Sequence, residues 1–306
     1  MKKRVPYGWI YLFLAPTLIL YGMYTVWPVI GTVWYSLLDW NGFQRHGTFT
    51  GFSNYKALFA DPLFWNSMRA TFIFLLIVVP IRFLLSLGVA LLLNWKQFHF
   101  KSFFRTLIFI PVVTTSAIIG TTMNMFFDPS QGPVNTVLNA LGLMKEQVFL
   151  LGSADTALAT AGMIWCWKWL GISLIYWIAS LQSIPEELYE SAHMDGANAW
   201  KTFTNITTPL LVPFGIIILI LTVSDALRVF DLMLTLTKGG PFFKTEVIEI
   251  FIYRWAFAAS TPKIGYASTA AVVFGGIFMV ITTIQLLSDK LRPGKQGTGK
   301  VEGDYE

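Results

Sequence analysis

Between residues 183 and 209 the sequence gathers the side chains best suited to contact with another protein. Ser183 and Glu186 have the spacing of a capping box, and Pro185 fits a first helical turn. The acids that follow, Glu186 and Glu187, suit the positive end of a helix. Leu188, Ala192, Ala199 and Phe203 fall near one helical face, and Gly196 interrupts the helix where the chain can turn or another backbone can come close. An amphipathic helix with small residues can dock in a partner's groove. A connector lying on the membrane surface has the same pattern, and the residues alone leave both readings open.

Other candidate chemistry is thinner. Residues 294–300 have the spacing of a phosphate loop, but Val301 stands where a hydroxyl should hold magnesium and no strand precedes it. ATP is therefore not expected to bind this chain. His46, His99 and His193 have no metal-ligand spacing, and no nucleophile–base set is present. Arg82, Lys168, Asp225 and Arg228 lie in apolar stretches, with Asp231 near the end of one. Ionisable groups at membrane depth are candidates for function, and snorkelling or pairing between helices is the plain alternative. Asp225 and Arg228 are three apart, which suits a mutual ion pair on one helix.

The elements that must position these residues are membrane helices. Of 306 residues, 55% are hydrophobic and 13% charged, with a mean hydropathy of +0.59. A soluble domain carries about twice that charge. About 20 apolar residues cross a bilayer, and six such runs occur near 9–36, 69–93, 105–127, 157–181, 208–231 and 266–288. Pro16, Pro80 and Pro111 sit inside spans and suggest kinks. No cleavable signal peptide is apparent, because the first apolar run is too long and lacks a small-residue cleavage site. The single cysteine, Cys166, excludes an intramolecular disulfide. The net charge of +5 is scattered over termini and loops, so no nucleic-acid surface is implied.

Lys and Arg set the orientation. With the N-terminus inside, inner segments hold 11 of them and outer segments 7, which puts both termini in the cytoplasm. Residues 1–8 then form a cytoplasmic N-terminus and 9–291 the membrane domain, with 183–209 as a cytoplasmic loop. The polar, Gly-rich tail 292–306 is expected to be disordered. Two outer loops, about 37–68 and 128–156, are long enough to fold, and the last outer loop, about 232–265, has room for a short helix. Short helices are expected near 54–59, 134–141 and 244–257, with a turn cluster at 128–133.

The 183–209 segment closely resembles the "EAA loop" of binding-protein-dependent ABC importer permeases. That pattern is Glu-Ala-Ala, three residues, Gly, nine residues, Ile, one residue, Leu-Pro. Here Glu190, Ala192, Gly196, Ile206 and Pro209 match at the right spacing, while Ser191 replaces Ala and Thr208 replaces Leu. Asp195, Gly196 and Ala197 together resemble the carbohydrate-uptake branch, and the resemblance continues through 51–55, 127–135, 237–241 and 265–268. The first permease of sugar and glycerol-phosphate importers is the nearest type.

This resemblance implies an all-α membrane protein with six transmembrane helices, the type I ABC importer permease fold, in the bacterial cytoplasmic (inner) membrane. It implies a second permease subunit, two copies of a cytoplasmic ATPase that hold ATP and magnesium, and an extracytoplasmic solute-binding protein that delivers a sugar or polyol. Glu190, Ala192, Asp195, Gly196, Ala197, Ile206 and Pro209 would couple to the ATPase. For sugar contact, the ring faces of Trp167, Trp169 and Tyr176 can stack on a sugar ring, and Asn124, Asp225 and Arg228 can bond to hydroxyls. Tryptophans two apart cannot all share one helical face. The competing class is a stand-alone secondary transporter or channel, which predicts broken helices at matched positions in two halves or an intramembrane proton relay.

Overall fold

The computed structural model describes residues 7–95, 97–142 and 149–290, so residues 1–6 and the tail expected to be disordered (292–306) lie outside it. The chain opens with α1 (Tyr7–Tyr21), a π-helical turn (Gly22–Val26) and α2 (Trp27–Tyr35). A two-stranded hairpin follows, with β1 (Leu38–Asp39) antiparallel to β2 (Thr48–Phe49). Next come α3 (Ser53–Ala60), α4 (Pro62–Asn94), α5 (Lys101–Val113), α6 (Ser116–Phe126) and α7 (Pro133–Ala140). Then α8 (Ala157–Gln182) leads to α9 (Glu186–Met194), α10 (Ala199–Thr202), a second π turn (Phe203–Thr207) and α11 (Thr208–Ala226). The chain continues through α12 (Phe230–Leu236), α13 (Ile248–Tyr253), a third π turn (Arg254–Ala258) and α14 (Ile264–Lys290).

Among the described residues five helices are long and apolar enough to cross a membrane, and the pair α5–α6, bent by 99°, makes a sixth when taken as one broken span. Helix α8 is the hub: 61% of its apolar window is buried, against none of the first span (Ile10–Tyr35). Without water, helices attract one another by close packing, which favours small residues at the contact. Gly171 of α8 shows this, since a Cβ there would lie 2.9 Å from the Ile108 carbonyl of α5. Around α8, one core cluster joins Phe74 and Val78 of α4 to Trp165 of α8 and to Leu232 and Met233 of α12. A second, nearer the cytoplasm, joins Leu93, Trp177, Leu181 and Ile184 to Leu211.

Prolines shape the spans in two ways. Pro62 starts α4 at a position where its missing N–H is no loss, and the Asp61 carboxylate accepts from Leu63 N at 2.8 Å. By contrast, the first two π turns each end two residues before a proline, Pro28 and Pro209. A proline removes one helical bond and crowds the preceding turn, and a widened turn accommodates both.

The third span departs from the straight run expected at 105–127. It breaks at Thr114 and Thr115, both of extended backbone, rather than kinking at Pro111. Hydropathy measures length and apolarity and carries no information on direction. The fifth span also differs, ending at Ala226, so Asp231 belongs to the separate helix α12. The three expected surface helices are present as α3, α7 and α13 with its π turn.

Candidate functional site

The segment 183–209 forms a compact element at the cytoplasmic ends of α8 and α11. The expected capping box does not form. Ser183 has helical backbone angles and caps the C-terminus of α8, and its hydroxyl donates to the Ser180 carbonyl at 2.8 Å. The link to α9 is too short for Ser183 to become extended, so Pro185, with ψ of 133°, takes the N-cap position.

Helix α9 ends in a Schellman turn. Ala197 N donates to Ala192 O at 2.9 Å and Gly196 N to His193 O at 3.1 Å, with Gly196 at φ +74°. This pair of bonds requires a left-handed residue, which glycine supplies at least cost. Asn198 then caps α10 by accepting from Lys201 N at 2.9 Å. Tyr189 hydroxyl and Thr207 hydroxyl lie 3.2 Å apart, tying α9 to the second π turn. The turn is therefore held rigidly, while its outer side is open. Met194 is 89% and Trp200 70% exposed, beside exposed Glu190 and Asp195. Ala192 is buried, Ala197 and Ile206 are half-buried, and Pro209 is exposed behind the second π turn. Sequence reasoning passed over Met194 and Trp200. Their signal was two large apolar residues on either side of the Asp195–Asn198 turn.

The candidate sugar contacts do not converge. A cleft of about 1130 Å³ opens between α6, α12 and the segment after it, and Asn124 is the one candidate that lines it. Thr121, Thr235, Lys238, Tyr253 and Arg254 are among its other walls. The Asn124 amide donates to Leu236 O at 2.6 Å and so joins α6 to α12. Trp167 and Tyr176 are exposed, nine residues apart and hence on opposite faces of α8. Trp169 is half-buried beneath the Lys168 ammonium, 4.1 Å from its ring centre.

The ion pair expected between Asp225 and Arg228 is replaced by another. Arg228 lies just beyond the end of α11, its backbone N–H still donating to Asp225 O at 3.1 Å, and its guanidinium turns away to sit 5.8 Å from the Phe278 ring centre. Asp225 instead pairs with Arg82 of α4 at 3.1 Å. The Arg82 side chain is 1% exposed and the Asp225 side chain 43%, so the buried cation is neutralised by a carboxylate that also faces open space. Arg82 also lies over the Trp165 ring at 5.0 Å.

A buried carboxyl, Glu246, and a half-buried one, Glu249, brace the outer wall of the cleft. Glu249 accepts from Phe230 N at 2.8 Å, capping α12 from a different element. Glu246 lies 2.8 Å from Arg254 Nε, although that N–H is not aimed at the oxygen. Burial pushes both carboxyls up to about 7, outweighing the lowering effects of Arg254 on Glu246 and of the Phe230 N–H on Glu249. At the cleft edge, half-buried Asp128 accepts from Ser130 N, Ser130 hydroxyl and Gln131 N, which holds its carboxyl below the usual range and forms the expected turn.

Among the described residues no group of three His, Cys, Asp or Glu could hold a metal ion.

Residues 57–292 match the family described as binding-protein-dependent transport system inner membrane component. A sulfoquinovosyl glycerol transport system permease of Agrobacterium fabrum is 35% identical, over 90% of this chain and 88% of its own. A lactose transport system permease of Rhizobium radiobacter is 30% identical over 93% and 94%. Among solved structures, a bacterial ABC transporter involved in import of the acidic polysaccharide alginate superposes with a TM-score of 0.79, covering 92% of this chain and 95% of that one at 24% identity. The chain belongs to the family of inner-membrane permease components of binding-protein-dependent transport systems.

Proposed function

We propose that this permease forms half of the path for a sugar or polyol in an ATP-driven importer, beside a second permease chain and two cytoplasmic ATPase subunits. A solute-binding protein delivers the substrate at the outer face. The observation that carries this reading is the element at α9–α10. Its backbone is locked by local hydrogen bonds, yet it offers Met194 and Trp200 to the cytoplasm with a carboxylate on either side of Met194. A rigid, two-headed apolar contact suits a groove on a moving partner, because a floppy one would absorb the motion it should transmit. In this reading Glu190 pairs with a basic group of the ATPase, and Gly196 keeps the turn low enough for close approach. Asn124, Asp225 and Arg228, with Trp167, Trp169 and Tyr176, remain the proposed solute contacts, Asp225 most strongly because it is half-exposed in a spanning helix. The sugar class follows from the transport systems named for the relatives. Among the described residues one span is broken, and a secondary transporter predicts a matched pair, which favours the importer reading.

The test is substrate-stimulated ATP hydrolysis and uptake by the co-purified complex, comparing wild type with Gly196→Trp and Glu190→Lys. Bulk or reversed charge at the turn should release the ATPase or uncouple hydrolysis from uptake, while the chain still inserts. Normal copurification and transport by both variants would refute the coupling assignment.

A further inference from the structure

The break in the third span leaves a problem of polar groups at membrane depth. The last carbonyls of a helix have no intrahelical partner, and in a bilayer each unmet group is costly. Helix α5 ends at Val113 and its C-cap, Thr114, is extended, so the Thr114 carbonyl is lost to the helical ladder. Lys168 meets it. The ammonium, on a fully buried side chain of α8, donates to Thr114 O at 2.9 Å and lies over the Trp169 ring. A cation at a helix C-terminus is also favoured by the helix dipole. Among the described residues no carboxylate pairs with Lys168.

The two halves on either side of this bond pack on different helices of the bundle. Helix α5 is pressed onto α8 at Gly171, where a Cβ would meet Ile108 O at 2.9 Å. Helix α6 is pressed onto α12 at Gly120, where a Cβ would lie 3.1 Å from Leu232 O, and Asn124 bonds Leu236 O there. Thr115 begins α6 by accepting from Ile118 N at 3.4 Å. The α6–α12 pair is the wall of the outer cleft.

We propose that Lys168 is a positioning residue for transport: by holding the Thr114 carbonyl it fixes the angle of the break, and with it the α6–α12 wall of the outer cleft. It acts through the break and touches no solute. The transport arm rests on the importer reading above, but the geometric arm does not.

The experiment places spin labels at Met125→Cys on α6 and Met163→Cys on α8, in a Cys166→Ala background of the co-purified complex. Distance distributions are recorded without nucleotide or solute, and solute uptake per ATP hydrolysed is measured in vesicles. Lys168→Met should shift or broaden the distances and lower uptake per ATP by about tenfold, a typical size for coupling between sites. Lys168→Arg, which keeps charge and donors, should restore both. The proposal fails if Lys168→Met keeps wild-type distances and coupling, or if Lys168→Arg is as disordered as Lys168→Met. Where Lys168→Met does not accumulate, Lys168→Gln replaces it. Glutamine is uncharged and one bond shorter than lysine, so shifted or broadened distances with lowered uptake support the proposal, and wild-type distances overturn it. Failure of the labelled parent itself to take up any solute would count against the importer reading, leaving the distance result to stand alone.

Discussion

At the cytoplasmic end of the molecule, Gly196 and Ala197 bond to carbonyls of His193 and Ala192 in the same short helix. At the outer end, Asn124 bonds to a carbonyl 112 residues away, and Asn66 to the Phe243 carbonyl 177 residues away. The first element is closed by neighbours in sequence. The second exists only once distant spans have assembled. A locally closed turn can be carried through a motion as a rigid piece, whereas a wall built from long-range bonds can change shape when the spans that hold it move.

The largest expected effect probes the long-range side. Replacing Asp225 by Ala strands the buried Arg82 guanidinium, whose Nε already has no partner. Loss of one member of a buried pair costs about 3–5 kcal/mol, and exposure of Asp225 places the effect at or below about 3. Thermal unfolding in detergent should show it, and Arg82→Met combined with Asp225→Asn should recover most of it. Equal loss in the single and double variants would mean that the pair does not hold α4 to α11.

The same contrast explains what could be read from the sequence. The turn at Gly196 was legible because a glycine acts on residues within a few positions, although the capping box read at Ser183 and Glu186 did not form. The short outer helices were legible for the same reason. The partner of Asp225 was not, since Arg82 lies 143 residues away and a nearer cation at Arg228 fitted a helix that in fact had ended. Nor was the break at Thr114 legible: residues 105–127 are long and apolar enough for one straight span, and the Lys168 ammonium that meets the freed carbonyl comes from another helix. The apolar first span is visible in the sequence, but its lack of burial against the rest of the chain emerges only in three dimensions.

A second effect concerns pH. Glu246 and Glu249 have carboxyls pushed up to about 7 from an ordinary value near 4.5. An acid whose folded value is raised favours the folded loop most at low pH, and that contribution is lost as pH rises from about 4.5 to about 7. Amide exchange in 237–258, corrected for intrinsic rates, should therefore be faster at pH 8 than at pH 5, while exchange in 186–202 should change little. Glu249→Gln keeps an acceptor for Phe230 N and should remove part of the pH dependence. Equal pH responses at both ends of the molecule would erase this distinction.

The smallest effect sharpens the local side. A Cβ at Gly196 would meet nothing within 4 Å, so Gly196→Ala adds no clash inside the chain. What remains is the left-handed backbone at φ +74°, which costs a non-glycine residue about 1 kcal/mol. If α9–α10 works as a preset rigid contact, that strain should appear as weaker ATPase docking, about fivefold, with membrane insertion and the outer cleft unchanged. Gly196→Trp adds bulk on the docking side to the same strain and should do far more. A Gly196→Ala complex as weak as Gly196→Trp would mean that backbone conformation, and not space at the contact, is what the glycine provides.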